Sequence, residues 1–144
     1  GDYFNIEVRQ NLKQSYRGLF SARTQFYDNF NKFLSYKQAK ETAKIGKLLD
    51  ENYRLSVEMS EYKQVIFDIL SPLTEQAEKE LLADEPLKDQ IITGYDEEQK
   101  NYYSFLTSVE SFMKDMQKAR DKGSYSDEDY NAISEAYEYG LSVI

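Results

Sequence analysis

The sequence predicts an all-α fold, an antiparallel up-and-down bundle of about four helices. Apolar residues recur at spacings of three, four and seven along most of the chain, the mark of helices burying one stripe each. No segment alternates with period two over a useful length, and the hairpin dipeptides Asn-Gly and Asp-Gly are absent. Brief turn signals join the stripes, which places consecutive helices side by side and antiparallel.

The first stripe runs through Val8, Leu12, Tyr16, Leu19, Phe26, Phe30 and Phe33 and predicts a helix from about Asp2 to Leu34. Ile45, Leu48, Leu55, Met59, Tyr62, Ile66 and Ile69 make the second. That helix is expected to stop at Ser71-Pro72, because a residue before proline is pushed out of the α region. Leu73, Ala77 and Leu81 lie four apart and predict a short connecting helix to Ala83, interrupted at Asp84-Glu85-Pro86. Pro86 suits a first helical turn. From Leu87 the third long stripe passes Ile91, Tyr95, Tyr102, Leu106, Val109, Phe112, Met113 and Met116, and Gly123 is its natural stop. Ser126 with Asp129 forms a Ser-x-x-Asp start for a last helix carrying Tyr130, Ile133, Tyr137, Leu141 and Ile144.

The chain has 144 residues, which argues for a single helical-bundle domain over 1–144 with a substantial core. No fixed-period repeat and no Gly/Ser-rich linker divides it. Cys and His are both absent, which removes disulfides, thiol nucleophiles, Cys/His zinc sites and imidazole bases. A net charge of −8 opposes nucleic acid and anionic membranes as general partners. No window reaches the roughly 20 apolar residues of a membrane span, so the membrane enters only through an anchor outside the chain. The chain opens Gly1-Asp2-Tyr3 without an initiator Met, and Gly1 reads as a cleavage scar.

Several constellations of polar residues bear on chemistry. Asp127, Asp129, Asn131 and Glu138 fall at positions one, three, five and twelve of a calcium loop, but position six is Ala132 where the turn needs glycine. An N-capped amphipathic helix explains the same residues better. The carboxylates at Asp84-Glu85, Asp96-Glu97-Glu98 and Glu110 lack the Glu-x-x-His partners of di-iron bundles. Neither a phosphate-cradling loop nor a Gly-x-Ser-x-Gly elbow is present. The chain reads as no enzyme, with no cofactor and no metal.

Two features point to a binding role. With 13 Tyr and 8 Phe, not every ring faces inward, and Tyr102, Tyr103, Tyr125, Tyr130 and Tyr139 are candidates for a partner-binding surface. Lys37, Lys40, Lys44 and Lys47, spaced by three, four and three, would form a basic ridge on one helix able to seat an acidic partner. The partner expected is a protein or peptide.

The runs Asn29-Phe30-Asn31-Lys32-Phe33-Leu34 and Gly46-Lys47-Leu48-Leu49, followed by a Tyr/Phe-rich helix to Met116, resemble the helical ectodomains of uncharacterised bacterial lipoproteins. The resemblance covers most of the chain as helix order and aromatic style. It implies an extracytoplasmic bundle tethered to the cell envelope through a cysteine upstream of Gly1. The expected function is then a non-catalytic interaction module. The alternative is a four-helix-bundle sensing ectodomain of a membrane receptor, with a small-molecule pocket between helices.

Overall fold

A computed structural model describes the backbone of residues 5–80 and 85–143, with side chains except those of residues 73, 74, 76–80, 85–92, 94, 95, 102 and 143. Four helices, α1 (Ile6–Gln38), α2 (Thr42–Glu80), α3 (Glu85–Lys122) and α4 (Asp127–Val143), account for nearly all of it, with no strand among the described residues. Their order is a ring: α1 packs on α2, α2 on α3, α3 on α4, and α4 returns to α1.

Each neighbour runs antiparallel. Asn29 on α1 meets Asn52 on α2, while the earlier Gly18 faces the later Tyr62. Asp50 pairs with Arg120 and Lys63 with Glu98 across α2 and α3. Between α1 and α4, Lys37 lies over Tyr130 and Arg23 reaches the Leu141 carbonyl. The bundle is therefore all-α, antiparallel and up-and-down, as its stripes predict. At 17 residues α4 is less than half the length of α2, so it flanks only the stretch of α1 nearest the first turn.

Helix ends are set by local chemistry. The Asn5 side chain accepts from the Val8 N–H at 2.9 Å and starts α1. The expected start at Asp2 lies outside the described residues. At the other end α1 runs one turn past Leu34, where Glu41 N–H donates to the Tyr36 carbonyl and Lys40 N–H to the Lys37 carbonyl. This Schellman closure puts Lys40 in the left-handed region, φ 56°. Gly123, φ 69°, occupies the same place after α3. The predicted Ser126 cap is realised in both directions, Ser126 N–H to Asp129 Oδ2 and Asp129 N–H to Ser126 Oγ.

One predicted boundary is corrected. α2 does not end at Ser71-Pro72 but continues to Glu80 with Pro72 inside it, so there is no separate connecting helix from Leu73. Proline removes one backbone donor and crowds the carbonyl four residues back. Pro72 and Asp68, whose carbonyl it crowds, are both exposed, and apolar spacing persists in the sequence through Ile66, Leu70, Leu73 and Ala77. Residues 81–84 lie outside the described residues.

The core is built on Phe33, Ile45, Leu49, Leu55, Met59 and Ile133, all essentially without exposure. Tyr16, expected on the buried stripe, is exposed, and Phe105 rather than its neighbour Leu106 is buried on α3. A buried polar line crosses the core: Asn29 Nδ2 donates to Asn52 Oδ1 at 3.0 Å, and Asn52 Nδ2 donates to the Tyr137 hydroxyl. Ser56 and Ser60 bond back to the carbonyls one turn earlier.

Candidate functional site

The turns after α1 and α3 lie at the same end of the bundle, and a groove of about 350 Å³ opens there between the first turns of α2 and the end of α3. Lys47, Asp50, Arg120 and Tyr125 supply its polar groups, and Thr42, Ala43 and Gly46 form the α2 side. Glycine at 46 keeps this side low: a Cβ there would stand 3.7 Å from the Tyr125 hydroxyl and 3.9 Å from Arg120 Nε.

Arg120 is the fixed element. Its guanidinium binds the Asp50 carboxylate through two bonds of 2.6 and 2.7 Å, joining α3 to α2. The hydrogen bond to Asp50 holds the Arg120 pKa above its ordinary value. Tyr125 is half-buried, and burial pushes its hydroxyl pKa up against the lowering effect of Arg120, so the phenol is a neutral donor.

An aromatic row backs the groove. Tyr125 lies 5.8 Å from Tyr130, Tyr130 lies 6.3 Å from the buried Phe33, and the Lys37 ammonium sits 5.7 Å over the Tyr130 ring. Nearby, Lys44 pairs with Glu41 at 3.0 Å and lies 5.5 Å over the Tyr36 ring; the Glu41 hydrogen bond raises its pKa.

The expected surface is thus partly assembled. Lys37, Lys47, Tyr125 and Tyr130 come together at the bundle end, with Lys44 close by on Tyr36. The predicted ridge on one helix is corrected: Lys37 closes α1, Lys40 is the left-handed turn residue, and Lys44 and Lys47 belong to α2. A chain reversal separates the first from the last two, so helical spacing does not apply across it. Tyr103 is exposed along α3, away from this end, and Tyr139 packs 6.4 Å from Phe105 at mid-bundle. The Tyr102 side chain lies outside the described residues.

Arg120, Asp50 and Tyr36 carry no signal in the sequence, and Gly46 enters there only within the run Gly46-Lys47-Leu48-Leu49, without a site role. Arg120 and Asp50 are 70 residues apart, and no local pattern pairs them. Among the described residues, no group of three carboxylates is placed to hold a metal, and the calcium-loop residues serve the α4 cap and its exposed face. The groove offers cations, a hydroxyl and aromatic area: the means to hold an acidic or amide-bearing chain.

A smaller space of about 40 Å³ lies between helices, lined by Asn52, Ser56, Phe105 and Tyr137 among others. That is room for about three or four waters, given that one needs roughly 10–15 Å³ on this measure.

Comparison with known proteins adds a family. Residues 1–84 match the family model described as a domain of unknown function, DUF6845. The match covers 84 of the 144 residues. The chain belongs to the DUF6845 family. Residues 72–142 also match the model described as a DUF3829-like, C-terminal domain. No curated protein and no solved structure matches the chain. The DUF6845 match and the second match overlap over 72–84, starting at Pro72 within continuous α2. No described helix is long and apolar enough to cross a membrane.

Proposed function

We propose that this chain is a non-catalytic interaction module, the envelope-exposed domain of a bacterial lipoprotein, which holds a polypeptide partner in the groove at its turn-bearing end. The carrying observation is the convergence of Lys47, the Arg120–Asp50 pair and Tyr125 around one open groove, backed by the Tyr130–Lys37 row. Arg and Tyr are the residue types that dominate interface energetics, because each combines area with a directed donor. Here the pairing with Asp50 fixes the guanidinium in advance, so binding sacrifices little side-chain freedom. The interhelical space of about 40 Å³ is too small for a metabolite, which favours this reading over a sensing ectodomain.

Screening a random peptide library against the immobilised chain tests the proposal. Binders are expected to be acidic, to shift the NMR signals of Gly46, Lys47 and Tyr125, and to be lost on Lys47→Glu. A library that yields no binder mapping to the groove, or groove binders that ignore Lys47→Glu, overturns it. The envelope placement is tested on the full gene product, by labelling with radioactive palmitate.

A further inference from the structure

A second apolar seam runs along α1, turned away from the core. Ile6, Phe20, Tyr27 and Leu34 are 75%, 59%, 50% and 44% exposed. With Lys13 in the one gap, these positions recur every seven residues along the helix. Single exposed hydrophobics are ordinary, but a seven-residue period keeps a stripe facing one neighbouring helix.

The adjacent line shows what that spacing does in this molecule. Lys37, Phe30 and Arg23 also step by seven, and each touches α4: Lys37 over Tyr130, Phe30 stacked on Tyr137, Arg23 on the Leu141 carbonyl. The next residue on this line is Tyr16. It lies roughly 10 Å along the axis beyond Arg23, the α1 residue that meets the Leu141 carbonyl. There its ring stacks on Phe20 at 6.1 Å and remains 38% exposed. The aromatic pair therefore sits where a helix lying along α1 would meet it.

Charge indicates the kind of helix. α1 has six Lys and Arg against two Asp and Glu, in a protein of net charge −8. Arg9, Lys13 and Arg17 around the pair are exposed, and none has an ion pair among the described residues. The helix that α1 already holds, α4, carries five acidic residues and no basic one.

We propose that the seam centred on Tyr16 and Phe20 docks an acidic amphipathic helix of a partner protein. This surface is distinct from the end groove. A second copy of α1 would set arginines against arginines, and a membrane surface calls for a broader apolar face than one seam.

The test uses two synthetic helical peptides with the same apolar seam, flanked by Glu in one and Lys in the other, titrated against the full chain by fluorescence anisotropy. The Glu peptide is expected to bind and to weaken with added salt, and the Lys peptide is expected not to bind. Tyr16→Ser with Phe20→Ser, or Arg9→Glu with Arg17→Glu, should weaken binding at least about tenfold. Because these side chains are exposed, the melting curves of the variants should stay close to that of the parent. Lys47→Glu should leave this binding unchanged, which separates it from the groove. Equal or absent binding of the two peptides, or indifference to the variants, overturns the proposal. So does self-association, or binding to phosphatidylserine vesicles, that is lost in the Phe20 variant.

Discussion

Asn52 on α2 donates its side-chain amide to the hydroxyl of Tyr137 on α4, 85 residues later in the chain, and accepts from Asn29 on α1. Three helices are thereby tied at one level. An apolar core tolerates sliding by a turn, whereas this line is satisfied in one register.

Removing the Tyr137 hydroxyl leaves a buried amide donor without its acceptor. Tyr137→Phe should cost about 1–3 kcal/mol by urea unfolding at neutral pH.

The same hydroxyl makes stability sensitive to alkali. Burial, aided by the Glu51 charge, raises the Tyr137 pKa far above its ordinary 10.0. An acid whose pKa is raised on folding contributes stability that is complete below the unfolded value and is lost as pH climbs above it. Unfolding free energy should therefore fall from about pH 10 upward. The fall should be shallower in Tyr137→Phe, measured from pH 8 to 11.

Glycines within helices should respond in opposite directions to one substitution. At Gly46 a Cβ meets its nearest neighbours at 3.7 and 3.9 Å, ordinary contact, so Gly46→Ala should stabilise by about 0.5–1 kcal/mol. At Gly140 it would lie 2.9 Å from the Phe26 ring and 3.2 Å from that of Phe105, both buried. Gly140→Ala should destabilise by about 1–3 kcal/mol, since two buried rings must shift to admit the added Cβ. Thermal melts of the two variants should shift in opposite senses.

Lys40 and Gly123 hold equivalent positions in the two Schellman closures, but only glycine is at ease there. Lys40→Gly should stabilise by about 0.5–1 kcal/mol, the relief of left-handed strain less the entropy of glycine. Gly123→Ala should destabilise by a similar amount, readable in the same melts.

Phe33 has no exposure, while Phe30 is half-buried and stacks on Tyr137 at 5.0 Å. Phe33→Ala should cost about 3–5 kcal/mol and Phe30→Ala roughly half of that, by chemical denaturation.

Four helices, their antiparallel order and most core positions were readable from the stripes, because burial in a helix leaves a local period. The Ser126 cap was readable for the same reason: donor and acceptor lie three residues apart. Pro72 misled because a local rule, the proline stop, was outweighed by apolar spacing that continues in the sequence on both sides and by its solvent-facing position. The lysine row misled because Lys40 takes a left-handed conformation without glycine, hiding a chain reversal inside apparently helical spacing.

By itself the chain determined everything that repeats within a few residues: where helices form, which stripe each buries, and where a side chain caps a backbone end. Only the tertiary structure decided which distant side chains meet. Arg120 with Asp50, Asn52 with Tyr137, and Arg23 with the Leu141 carbonyl all depend on how far one helix slides and turns against the next. That is fixed by the summed fit of side chains from different elements, and no stretch of contiguous residues records it.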